Sequence, residues 1–329
     1  STQMILSKLT AENRASAFGV PKMEITKREI LYRSPVYFTP LASESLVDGP
    51  ALRRLVEQEY AAAGITRETV DTGAVIVTGE TSRKENARRV LEELSDFAGD
   101  FVVATAGPDL ESILAARGAG AVERSKGRRV LHMDIGGGTS NLCLIEDGEI
   151  LATGCLNVGG RLLKLNESGV ITYRSPVLEG LTDLQAGMRP TGEQLKQLAD
   201  MLASSLEMAA GLRQPTDILC KLTTEENGSN WQIPRDVIPS FSGGVADCIG
   251  TDYPDLQFGD IGPVLGKAIR RSQLCRGTYF LGSETIRATV IGAGCHSAQL
   301  SGSTVFHQNI NFPLKNIPAA VIPNPQTPE

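Results

Sequence analysis

The sequence predicts an α/β fold of two lobes with a cleft between them, and three observations carry that expectation. At 329 residues the chain exceeds the ~250 residues at which a single hydrophobic core stops growing. Apolar strand-like runs alternate with amphipathic helical ones, the pattern of a sheet covered on both faces. Midway, "VLHMDIGGGTSNLCLIEDGEIL", Val130 to Leu151, sets three adjacent glycines between two apolar runs. A glycine turn there joins strand to strand.

The elements follow in order. "STQMILSKLT" from Ser1 and "REILYRSPVYFTPL" from Arg28 read as extended. In "PALRRLVEQEYAAAG", Leu52, Leu55, Val56 and Tyr60 share one helical face, and Gly64 ends the helix. A strand, helix, strand, helix unit comes next: "GAVIVTG" (Gly73 to Gly79), "RKENARRVLEELSDFAG" (Arg83 to Gly99), "DFVVATAGP" (Asp100 to Pro108) and "DLESILAARGAGA" (Asp109 to Ala121). The polar "VERSKGRR" (Val122 to Arg129) breaks this pattern and sets the expected boundaries. Lobe I spans 1–127, lobe II 128–294, and a return segment with a Pro-rich tail 295–329. Lobe II holds the glycine segment, a second hairpin and a helix from Gly192 to Gly211 with Leu195, Leu198, Leu202 and Leu206 on one stripe. It then holds a strand entering "FSGGVADC", a helix around "GPVLGKAIRRSQ" and the strand-like "IRATVIGAG" (Ile286 to Gly294). The tail from Phe312 contains five prolines and reads as extended.

Composition excludes several classes. A formal charge of −6 and a pI near 5.3 give no electrostatic footprint for nucleic acid, and no apolar run approaches the ~18 residues of a membrane span. Six cysteines scattered without a CxxC pair suit reduced thiols in a cytoplasmic protein. His132, His296 and His307 lack the spacing of a zinc site, and no serine lies in a GxSxG elbow. In "TGETS", Glu80 follows a strand, where α/β folds place sites, but a helix cap by Ser82 explains the same letters.

The glycine segment carries the chemistry. Its setting between two strands excludes the Walker loop and the dinucleotide fingerprint, both of which lead into a helix. Gly136, Gly137 and Gly138 are expected to reach backbone angles closed to other residues and to turn amides toward an anion. Asp134 at the strand end would hold magnesium through water or orient a hydrolytic water, and Thr139 adds a hydroxyl at the other lip. A hairpin corner whose glycines only relieve strain explains the same letters. "STQMILS" (Ser1 to Ser7) echoes "TSNLCLI" (Thr139 to Ile145), suggesting two hairpins facing one another. Ser242, Gly243 and Gly244, between a strand and a helix, form a shape that packs a flat base or ribose. "ATAGPDLESILAARGAGA" and "ATVIGAG" are rich in small residues that let two helices cross closely.

In this succession the chain resembles the actin, Hsp70 and sugar-kinase superfamily of ATPases. "MDIGGGTSN" looks like its second phosphate motif, "FSGGVAD" its adenosine motif, and "AGPDLESILAARGAGA" and "ATVIGAG" its two connecting helices. "CLNVGGRLL" resembles the segment carrying the paired glycines, Gly159 and Gly160. Over nearly the whole chain, "KREILYRSPVYFTPL", "VDTGAVIVTGETSRKENAR" and "RATVIGAGCHSAQLSGST" resemble the reactivating factors of ethanolamine ammonia-lyase. The resemblance implies an actin-like (ribonuclease H-like) fold with a nucleotide cleft that binds ATP/ADP and Mg2+, with Asp134 at the metal. Ser1 and Thr2 would be the stump of the first phosphate hairpin, whose leading carboxylate precedes the sequence, and relatives extend past the Pro-rich tail. It further implies slow ATP hydrolysis, ethanolamine ammonia-lyase as client, damaged cobalamin handled through that client, a homodimer, and a cytoplasmic location at the ethanolamine microcompartment. Gly107 stands where Hsp70 relatives carry a glutamate, and Asn141 where they carry an aspartate. Both departures favour slow turnover and keep two rivals open: a non-hydrolysing scaffold and a small-molecule kinase.

Overall fold

The computed structural model describes residues 2–296, apart from 14–22, 44–45, 72, 78–84, 88–89, 91–93, 95–100, 106 and 225–230. Ser1, Glu80, His307, the Pro-rich tail and most of the helix expected over Arg83 to Gly99 lie outside the described residues. The elements are β1 (Ile5–Asn13), β2 (Met23–Arg33), α1 (Gly49–Ala63), β3 (Gly73–Val77), β4 (Phe101–Thr105), α2 (Pro108–Gly118) and α3 (Ala121–Arg124). There follow β5 (Arg129–Ile135), β6 (Ser140–Glu146), β7 (Glu149–Leu156), β8 (Leu163–Leu165), β9 (Ile171–Arg174), α4 (Gly192–Ala209) and α5 (Asp217–Leu222). The last are β10 (Ile238–Ser242), α6 (Gly244–Gly250), α7 (Gly262–Arg271), β11 (Phe280–Leu281) and α8 (Ala288–His296).

The largest sheet has the order β11-β10-β5-β6-β7. β5 is its centre, antiparallel to β6 and parallel to β10. Its continuous apolar run is explained by burial on both faces. Leu131, Met133 and Ile135 join a core with the α4 leucines, Val245 of α6 and Leu265 of α7, while Val130 packs with Ala116 and Ala121 on the opposite side. Asp147 and Gly148, at φ 50° and 85°, make the tight β6–β7 turn their letters predict.

α1 begins at Asp48, whose carboxylate accepts from Ala51 N at 2.9 Å, and ends at Gly64 with φ 67°. α4 has a capping box: Thr191 Oγ1 accepts from Gln194 N, and Gln194 Oε1 from Thr191 N. It buries all four leucines of the expected stripe.

Ile286 to Gly294 offers two readings, strand-like through its β-branched Thr289, Val290 and Ile291 and helical through its small residues, and residues Ala288–His296 form the helix. Packing overrides local propensity here. α8 crosses α2 so closely that a Cβ on Gly118 would come within 1.8 Å of Ala288 O, and one on Gly292 within 1.9 Å of Leu114 O. The chain ahead of α8 is fastened to the early strands: Gln3 Nε2 donates to Ile286 O (3.0 Å), Arg287 Nη2 to Ser34 O (2.9 Å), and Arg33 pairs with Glu284 (2.6 Å).

Candidate functional site

β5 and β10 run side by side in the same direction, with Asp134 opposite Ser242, so both release the chain at one end of the sheet. Beyond Ile135 the loop Gly136 to Thr139 is closed by Gly136 N donating to Thr139 O at 2.9 Å. None of its glycines has a positive φ, contrary to the expectation of angles closed to other residues. The closest approach is made at Gly159 beneath the loop. The carbonyls of Gly136 and Gly137 accept from Gly160 N (3.0 Å) and Arg161 N (2.6 Å), and a Cβ on Gly159 would meet Gly137 O at 2.3 Å. Gly138 has nothing within 4 Å of where its Cβ would be. The amides of Gly137, Gly138 and Thr139 have no hydrogen-bond acceptor among the described residues. With its carbonyls bonded to the chain beneath and three amides left over, the loop has the donors that a backbone anion site requires.

Gly159 and Gly160, expected at the ligand, are buried under this loop instead. Gly160 also packs where a Cβ would lie 2.9 Å from Gly262 Cα, so both supply room for the loop to seat on α7.

Asp134 is buried beneath the loop mouth. Its Oδ1 accepts from Ser242 Oγ (2.6 Å) and its Oδ2 from Thr289 Oγ1 of α8 (3.4 Å). Burial pushes its pKa up against the pull of those two hydroxyls. Ser242 Oγ also lies 2.9 Å from His132 Nε2, while His132 Nδ1 lies 3.1 Å from Ser240 Oγ. Because Ser242 donates its one proton to Asp134, it accepts from His132 Nε2–H, and Nδ1 accepts from Ser240. Burial lowers the His132 pKa to about 3 and keeps the ring neutral. The Ser242 hydroxyl is thus committed to Asp134 and His132.

Gly243 requires its glycine on two counts: φ is 86°, and a Cβ would meet Ile135 O at 2.3 Å. Its amide donates to Thr285 O at 3.0 Å. Gly244 opens α6 with Ile286 Cδ1 as its nearest neighbour at 3.8 Å. Thr2 exchanges both backbone bonds with Tyr37 and shares a hydroxyl bond with Thr39 (3.1 Å), so its main chain is already committed. Gln3 Oε1 is buried without a partner among the described residues. Asn141 is buried directly opposite Asp134 on β6. Gly107 caps α2 with open space around it. Cys143 and Cys248 are buried free thiols with pKa pushed up to about 12, which makes them inert.

Three residues escaped the sequence. Arg161 lies against Gly137, its Cδ 3.2 Å from where a Cβ would sit. Its Nε donates to Asp260 Oδ2 at 3.4 Å, and its guanidinium carbon stands 4.8 Å from the ring centroid of Phe38. Asp260, buried, also accepts from Gly262 N (2.8 Å), and burial raises its pKa despite Arg161. The arginine that directly follows the paired glycines in "VGGRLL" was the available signal. Among the described residues no group of three His, Cys, Asp or Glu could hold a metal, and no helix is long and apolar enough to cross a membrane.

Comparison with known proteins agrees with this architecture. The chain is 39% identical to the ethanolamine ammonia-lyase reactivase EutA of Salmonella typhimurium over 337 residues, covering 98% of this chain and 70% of that protein. It is 40% identical to the Escherichia coli protein of the same name over 334 residues, with the same coverage. Among solved structures, the Aquifex aeolicus member of the Ppx/GppA family aligns with a TM-score of 0.51 at 12% identity, covering 86% of this chain and 94% of that one. That likeness speaks to fold alone, and the fold is the actin-like α/β one. The family model described as ethanolamine utilisation protein EutA matches residues 1–329, and the chain belongs to that family.

Proposed function

We propose that this chain is a nucleotide-driven reactivating factor for ethanolamine ammonia-lyase, which it acts on to release damaged cobalamin. The client follows from the two reactivases it resembles over 98% of its length. The single structural observation that carries the nucleotide part is the loop Gly136 to Thr139, with its three free amides beside a buried carboxylate. The phosphates of ATP or ADP fit there, because the three amides are donors without acceptors and Gly138 is open. The Gly243–Gly244 turn would border the adenosine, and Thr139 the terminal phosphate. Magnesium fits only as a hydrated ion, because Asp134 is one carboxylate with both oxygens already bonded. When bound it would neutralise phosphate charge. The work of this chain's own residues is to aim Asp134 through Ser242 and Thr289, and to present amides that need no reorganisation. With Asn141 opposite Asp134 and no side chain at Gly107, two positions that could add a carboxylate do not, and slow hydrolysis follows. Residues 1–127 and 128–294 would be the two lobes.

The test is phosphate release by the full-length protein with and without inactivated ethanolamine ammonia-lyase, read alongside recovery of lyase activity. Slow basal release, faster release with the inactivated lyase, and ATP-dependent recovery are expected. Recovery that ignores ATP, or no nucleotide binding at all, overturns the reading.

A further inference from the structure

Arg161 leaves the glycine loop in a fixed direction. Its amide is bonded to Gly137 O, its stem lies along Gly137, and its Nε is held by Asp260. The face of its guanidinium is covered by Phe38, itself 73% exposed. Its terminal Nη groups donate to nothing among the described residues. A guanidinium stacked by its face keeps its edge free, and that edge is the fork that recognises phosphate in a bidentate fashion. Phe38 belongs to the segment that bridges to Thr2 through Tyr37 and is tied to Arg287 through Ser34.

We propose that Arg161 is a phosphate-binding residue that Phe38 holds in place, so that nucleotide on the glycine loop and the Phe38 segment strengthen each other's attachment. The proposal rests on the nucleotide reading and names how binding at that site reaches the early strands. Asp260 fixes one edge of the guanidinium and Phe38 its face, and the remaining edge meets the phosphate. Coupling of this kind is reciprocal: whatever Phe38 adds to nucleotide affinity, nucleotide adds to the Phe38 contact.

The experiment is calorimetry with Mg-ATP and Mg-ADP on the full-length protein and on Arg161→Gln, Arg161→Lys, Phe38→Ala and the two double variants. Arg161→Gln is expected to weaken binding about tenfold or more, as loss of a charged hydrogen bond does. Phe38→Ala should weaken it about two- to fivefold when Arg161 is present, and have no effect when it is Gln. Arg161→Lys keeps the charge but not the fork, so it falls between. If Arg161→Gln does not fold, Arg161→Lys with and without Phe38→Ala gives the same coupling. Equal affinity for wild type and Arg161 variants, or a Phe38→Ala effect of the same size without Arg161, overturns the proposal while leaving nucleotide binding intact. A wild type that binds neither nucleotide overturns both.

Discussion

Two glycine turns leave the same end of one sheet from neighbouring strands, and they use glycine for opposite reasons. After β10, Gly243 is wedged, with a positive φ and the carbonyl of Ile135 against the space its side chain would need. After β5, Gly138 faces open space with an ordinary φ, and of its neighbours only Gly137 is tight, against the Arg161 side chain. A repeated glycine in a sequence therefore says that a side chain is excluded, without saying whether protein or ligand excludes it.

The sharpest way to break this comparison is Gly243→Ala. A φ of 86° with ψ 173° lies in a region essentially reserved for glycine, which costs a residue with a Cβ about 1–3 kcal/mol, and overpacking adds about 1–3 kcal/mol. A loss of roughly 3 kcal/mol in a denaturant titration is expected, and a loss below about 1 kcal/mol would mean that the turn is not wedged. Second is Asp134→Asn, which keeps shape and removes charge. Phosphate release should fall about 100-fold, the low end for loss of a positioned acid or base, with the denaturation midpoint little changed.

Third, the link between the two turns is testable by pH. The His132 pKa falls to about 3 in the folded protein, below its ordinary 6.5. The unfolded chain therefore takes up the proton first as pH drops. Stability is full above 6.5 and is lost toward lower pH, by up to about 1.4 kcal/mol per unit from this group. Titrations at pH 7, 6 and 5 should show a shallower slope for His132→Gln than for wild type. An unchanged slope removes His132 from the network. The smallest effect belongs to Gly138→Ala: within about 0.5 kcal/mol of wild type in stability, with nucleotide affinity the quantity that suffers.

The β5–β6 hairpin was legible because its information is local: an apolar run, three glycines, another run, then Asp147–Gly148. The α4 stripe was legible for the same reason. What escaped depends on contacts distant in sequence. The bond from Ser242 to Asp134 was not legible because it arises from register between strands 108 residues apart. Arg161 and Asp260 meet across 99 residues, and nothing near either marks the pair. The helix at Ala288–His296 was legible only in part, because its β-branched letters favour a strand in isolation, while its small residues favour a close helix crossing that only the assembled protein completes.

Asp134 sits near the end of the sheet's central strand, one residue short of a loop in which the amides of Gly137, Gly138 and Thr139 have no acceptor among the described residues. Amide hydrogen exchange should therefore change abruptly along a single stretch of chain. Protons on Leu131 to Met133 can leave only when the whole sheet opens, whereas those on Gly137 to Thr139 exchange on contact with water. The carboxylate is thus anchored in the most slowly exchanging part of the backbone, and the groups beside it lie in one of the fastest.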